Sequence, residues 1–189
     1  MTRLSVISRT PENVMTKAAL RLSLGLFVCA LGNTGFAQDC RDDVRATAPT
    51  SRYVDNGDST VTDLATGLMW QRCTEGLFGA NCESGTATNF VNWQDALEFA
   101  AGSAFAGYGD WRLPNRRELT SLVEHRCFRP AINAGVFPNT PDYDVGFWSS
   151  TPTTGFELAA WVVSFARGDD HPLSKYKGNA LVRLVRDGQ

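Results

Sequence analysis

Histidine is scarce in this chain. His125 and His171 are the only two, too few for a three-histidine catalytic zinc site. No pair of cysteines has the two-to-four-residue spacing of a zinc knuckle, so no metal or cofactor is expected. No Gly-x-Ser-x-Gly string surrounds Ser149, which stands in Phe147-Trp148-Ser149-Ser150-Thr151. That removes the nucleophile elbow of a Ser/His/Asp hydrolase. Asp55, Asn56, Asp58 and Asp63 form an acidic cluster. No register puts oxygen side chains at the first, third and fifth places with Gly at the sixth, so it is not a helix-loop-helix calcium loop. It reads as a turn with solvated carboxylates. There is no internal repeat and no low-complexity tract. Basic charge is also in deficit: residues 38–189 hold 14 Lys and Arg against 19 Asp and Glu, a net charge of −5. The basic footprint of a nucleic-acid binder is absent, and anionic membrane surfaces are disfavoured as partners.

What is present begins with an export pattern. Residues 22–31 are an apolar run of ten, preceded by Lys17 and Arg21 and followed by Gly35-Phe36-Ala37. The run is shorter than the roughly 20 residues that span a bilayer. Residues 1–37 therefore read as a cleaved signal peptide, with the mature chain starting at Gln38 and Met15 as an alternative start. Val28 before Cys29 opposes a lipoprotein anchor. No later apolar stretch is long enough to cross a membrane, so no insertion is expected after cleavage. The chain is expected to be exported, to the periplasm or the cell exterior.

Five cysteines become four when Cys29 leaves with the signal. An even number in an exported domain reads as disulfides. Four cysteines allow three connectivities, and Cys73–Cys82 with Cys40–Cys127 is favoured. The first closes a short Gly-rich loop. The second ties an N-terminal extended segment, residues 38–51, to the middle of a domain over 52–189. Each bridge is expected to contribute about 2–4 kcal/mol.

Along that domain, Asn56-Gly57 predicts a hairpin turn, and Ala65-Thr66-Gly67 a second turn leading into a strand over Leu68–Gln71. Residues 73–91 read as a loop. Asn92 is positioned to cap a helix, with Trp93, Ala96, Leu97, Ala100 and Ala101 on one apolar face and Gly102 at its end. Leu113-Pro114 is extended, and Asn115 with Glu118 three residues on predicts a capping box. Leu119, Leu122 and Val123 face the core of this second helix, which fades near His125 to Cys127. Residues 128–145, with Pro130, Pro138 and Pro141, read as an irregular connection. Strands are expected at Phe147–Ser150, Ala159–Phe165 and Ala180–Arg186, with Trp161, Val163 and Phe165 sharing a face. Short strands, two successive helices, then more strands define an α+β architecture rather than a doubly wound sheet.

Several blocks in this order resemble one family. They are Asp55 to Asp63, Thr66 to Trp70, Asp110-Trp111-Arg112-Leu113-Pro114-Asn115 with Glu118-Leu119, Phe147 to Ser150, Ala160 to Val163 and Val182 to Arg186. Together, over residues 52–186, they resemble the Lcl C-terminal domain, a bacterial domain of unknown function. The resemblance implies a C-type-lectin-like fold: small twisted antiparallel sheets with two helices, disulfide-stapled. The family's named member is a surface adhesin whose domain binds sulfated polysaccharide, which implies extracellular ligand binding without catalysis. The Glu-Pro-Asn, Gln-Pro-Asp and Trp-Asn-Asp motifs of calcium-dependent sugar binders are missing, which sets calcium-mediated recognition aside.

Within this frame, Trp70, Trp111, Arg112, Pro114, Asn115, Trp148 and Trp161 are expected to be structural, Arg112 by pairing with a buried carboxylate. The ligand-binding candidates are Arg167, Asp169, Asp170, His171, Lys175, Tyr176 and Lys177, in a stretch read as a loop joining two strands. Lys175 and Lys177 suit an anionic glycan, with Tyr176 stacking on a sugar face. The expected partner is an extracellular glycan or a surface protein. The alternatives are an interaction module of an envelope assembly and an enzyme of the formylglycine-generating type, which needs active cysteines.

Overall fold

A computed structural model describes residues 38–188 of the chain. The signal segment assigned to residues 1–37 lies outside them. In chain order the strands and helices begin with β1 (Asp39–Cys40), β2 (Tyr53–Asp55), β3 (Thr60–Asp63), β4 (Leu68–Gln71), β5 (Leu77–Phe78) and β6 (Ser84–Gly85). The helices α1 (Trp93–Gly102) and α2 (Arg116–Thr120) follow, then β7 (Cys127–Phe128), β8 (Gly146–Pro152), β9 (Ala159–Ser164), β10 (Asp169–Ser174), β11 (Ala180–Leu181) and β12 (Val185–Asp187).

Two four-stranded sheets carry the fold, ordered β12-β4-β3-β2 and β10-β9-β8-β11. Their pairings are antiparallel except for β11 on β8, which is parallel. Two ribbons, β1-β7 and β5-β6, complete the pairing. The stretch Ala180–Arg186, expected as one strand, is divided: β11 joins one sheet and β12 the other. The β5-β6 ribbon lies inside the expected 73–91 loop.

Neighbouring residues on the central strands feed two separate apolar cores, because successive side chains leave a strand on opposite faces. Trp70, Phe147, Val163, Leu181 and Val185 enter one, with Leu119, Leu122 and Phe165. Met69, Trp148, Val162, Val182 and Leu184 enter the other, with Ala96, Ala100, Trp111 and Leu113. Strands buried on both faces read as near-continuous apolar runs, as here.

Capping is as expected. Asn92 Oδ1 accepts the Asp95 N–H at 2.8 Å. Asn115 Oδ1 accepts the Glu118 N–H at 3.0 Å, and the Glu118 carboxylate accepts the Asn115 N–H at 2.7 Å. In α1, Ala101 is exposed, and Phe99 packs against the core instead. The second helix stops at Thr120, earlier than expected. The Thr120 hydroxyl donates to the Arg116 carbonyl and the Ser121 hydroxyl to the Glu118 carbonyl, so side chains finish the last turn. Val123 then leaves the helical path to bridge Ile132.

Both expected disulfides are formed, Cys40–Cys127 and Cys73–Cys82. Cys40 and Cys127 are direct partners of the β1-β7 ribbon. The chain from Cys40 then runs to Thr47 and Ala48, whose backbone N–H groups donate to the Glu124 carboxylate at 3.0 and 2.9 Å. One carboxylate of the 55–63 cluster is not solvated: Asp63 is fully buried. It accepts from Arg52 Nε at 2.7 Å, the Thr66 hydroxyl at 2.8 Å and the Ala65 N–H at 3.0 Å. The first hairpin turn is longer than a two-residue Asn-Gly turn, with positive φ at Gly57 (80°) and Ser59 (69°). Among the described residues no helix is long and apolar enough to cross a membrane.

Candidate functional site

Strand β10 divides the expected ligand residues. The stretch 167–177 is not a loop, because Asp169–Ser174 pairs along β9 through six residues. Alternation then sends its side chains to opposite faces. On one face Asp169 and His171 line a small polar cleft of 310 Å³ with Asn179. Arg167, in the turn before the strand, reaches Asp144 at 3.1 Å and Asp169 at 3.4 Å. On the other face Asp170 pairs with Arg116, whose guanidinium lies 3.5 Å from the centre of the Trp161 ring. Lys175 and Tyr176 lie beyond the strand, and Lys177 is exposed.

The residues expected to be structural divide as well. Trp70, Trp148 and Trp111 are buried, and Asn115 caps. The Pro114 carbonyl accepts from Ser150 N–H at 2.8 Å, tying α2 to β8. Trp161 is half-buried under Arg116. Arg112 does not find a buried carboxylate: it bonds Glu118 at 2.8 and 3.0 Å and the exposed Asp187 at 3.1 Å. Ser149 is fully buried, with its hydroxyl donating to the Trp161 carbonyl at 2.8 Å.

Lys175 and Tyr176 meet the start of α1 across an open groove of 630 Å³. The Trp93 N–H donates to the Lys175 carbonyl at 2.8 Å, and the Trp93 indole N–H to the Ser149 carbonyl at 2.7 Å. The first bond holds the first turn of the helix against the end of β10, and the second holds it against β8. The Lys175 ammonium lies 4.7 Å from the centre of the Trp93 ring and donates to the Glu157 carbonyl at 2.8 Å. Tyr176, 66% exposed, lines the same groove. Asp95 and Glu98 also line it, with Gln94, whose amide donates to Glu98 at 2.7 Å. An aromatic face beside carboxylates, an amide and an ammonium suits a ligand with one apolar side and several hydroxyls. Sequence reasoning found Lys175 and Tyr176 but read Trp93 and Asp95 only as helix face and helix start. The available signal was an aromatic residue immediately after the capping Asn92.

The strongly shifted titratable groups belong to the scaffold. Arg183 is fully buried, and burial pulls its guanidinium down to about 9, so it is still charged at neutral pH. Burial pushes the Tyr53 phenol well above its ordinary value. Burial also raises the Asp63 and Glu124 carboxyls. At Asp63 the Arg52 and Thr66 hydrogen bonds outweigh it, and at Glu124 the N–H groups of Thr47, Ala48 and Arg126 do, leaving both below the usual range.

The fold and groove define a mixed α+β domain of small, mainly antiparallel sheets, two helices and two disulfides, with an open polar-aromatic cleft at one helix start. The family model of the Lcl C-terminal domain matches residues 59–186, well over half of the chain, and the chain belongs to that family. No curated protein matches it.

Proposed function

We propose that this chain is an exported, non-catalytic binding module of C-type-lectin-like fold that recognises carbohydrate in the groove between α1 and Tyr176. The observation that carries the reading is that the exposed Tyr176 ring shares one groove with Asp95, Glu98 and the Lys175–Trp93 stack. A pyranose ring has an apolar C–H face and a rim of hydroxyls. Tyr176 offers an amphipathic ring with little entropy to lose, and the carboxylates and amide accept from hydroxyls. Export is supported by the basic-apolar-small pattern of residues 1–37 and by the two disulfides. A binding role without formylglycine-type chemistry is supported by the state of Cys40, Cys73, Cys82 and Cys127, all engaged in bridges.

A glycan array followed by calorimetry on the disulfide-bonded chain tests the reading. The expected result is saturable binding of at least one oligosaccharide, weakened about tenfold in Tyr176→Ala, as loss of one buried aromatic contact requires. Binding to no glycan contradicts it.

A further inference from the structure

Beside the groove at α1 lies a second, apolar groove of 460 Å³, walled by Phe156, Leu158, Pro172 and Ser174. Phe156 is 73% exposed and Leu158 66%. These are large apolar side chains that the fold leaves in water at the tip of the β8-β9 hairpin. Lys175 of the first groove is bonded to residues of the second. The Lys175 N–H donates to the Leu158 carbonyl at 2.8 Å, and the Lys175 carbonyl accepts from Trp93 at 2.8 Å. The Lys175 ammonium likewise meets both the Trp93 ring and the Glu157 carbonyl.

We infer that the two grooves are adjoining subsites for one uncharged oligosaccharide, a reading that rests on the carbohydrate function proposed above. Charge sets the class of ligand. Asp95, Glu98 and Glu157 border the paired grooves. Among the described residues that line them Lys175 is the one cation, and its ammonium is already engaged by an aromatic face and a carbonyl. Three carboxylates against one engaged ammonium disfavour a sulfate or uronate by like-charge repulsion. The second groove offers an incoming chain mainly apolar side chains, which match the C–H face of a sugar unit, and its described lining holds no cation for an anion. Edge strand β10 does not invite a protein strand in its place: Asp169, Asp170 and Pro172 are the residues that blunt open sheet edges.

The test uses the intact disulfide-bonded chain with neutral glucan and N-acetylglucosamine oligomers, as disaccharides and hexasaccharides, against a sulfated dextran hexasaccharide. Titrations are run on the wild type, Tyr176→Ala and Phe156→Ala, with thermal melts to confirm that these exposed substitutions leave the fold intact. The inference expects a neutral hexasaccharide to bind. It expects Phe156→Ala to weaken that hexasaccharide about tenfold while leaving a disaccharide within about twofold. It expects Tyr176→Ala to weaken both, and the sulfated hexasaccharide to bind at least about tenfold less well than the neutral one. Preferred binding of the sulfated probe with loss in Tyr176→Ala overturns the inference and leaves the carbohydrate function standing. An equal effect of Phe156→Ala on short and long probes removes the second subsite. Binding of none of the probes overturns the inference, and a silent glycan array overturns the function with it.

Discussion

The guanidinium of Arg183 lies 4.8 Å from the centre of the Phe137 ring, at a point that solvent does not reach. The Phe147 ring is on the same cation at 5.8 Å. Among the described residues no carboxylate bonds it. Arg183 donates instead to the carbonyls of Gln71 and Arg72 and to the hydroxyls of Thr74 and Thr140. It stands where the chain crosses from β11 in one sheet to β12 in the other, so one side chain holds together segments far apart in sequence.

Arg183→Leu therefore leaves several buried acceptors without a donor, each worth about 1–3 kcal/mol. The expected loss is about 3 kcal/mol, read by denaturant unfolding. Arg183→Lys is expected to lose a similar amount, because a single ammonium does not reproduce the planar fork. A loss under about 1 kcal/mol in both variants contradicts this role.

Acid is expected to weaken the domain through Glu124 and Asp63. Both carboxyls sit below their ordinary values in the folded protein. Their stabilisation is thus complete above the unfolded carboxyl range, near about pH 4, and is lost as pH falls through the lower folded values. Thermal melts between neutral pH and pH 3 check this. Glu124→Gln is expected to lower stability at neutral pH and to flatten the acid limb, because Thr47 and Ala48 then donate to a neutral acceptor.

The two disulfides are expected to differ in weight. Cys40–Cys127 spans 87 residues and Cys73–Cys82 nine. Chain-entropy reasoning gives about 4–5 kcal/mol for the first and about 2–3 kcal/mol for the second. Paired Cys→Ser variants, compared by denaturant midpoints, are expected to rank in that order.

Tyr176 and Phe156 are exposed, so Tyr176→Ala and Phe156→Ala are expected to shift stability by less than about 0.5 kcal/mol. Any loss of glycan binding in them then reports on contact with ligand. Melting curves of both variants that overlay the wild type check the premise.

Local signals carried most of the fold. Asn92 and the Asn115–Glu118 pair announced both helix starts, because capping chemistry is confined to a few neighbouring residues. Gly67 announced its hairpin for the same reason. Features decided by distant partners were hidden. Val182-Arg183-Leu184 looks like the middle of one strand, yet it crosses between sheets. Asp63 looks like a turn residue, yet Arg52 takes it into the interior. The candidate site was half visible: Tyr176 and Lys175 stood out in a polar stretch, whereas Trp93 and Glu98 join them only because the Trp93 N–H meets the Lys175 carbonyl across the fold. Phe156 and Leu158 gave no period-2 or helical pattern to notice.

Chemical-shift mapping of the isotope-labelled domain against a neutral hexasaccharide tests the central claim most directly. The account predicts saturable shifts at the amides of Trp93, Gln94 and Tyr176 and at the Trp93 indole, extending to Phe156 and Leu158. Shifts confined to the Asp169–His171 cleft, or no shifts at saturating sugar, contradict it.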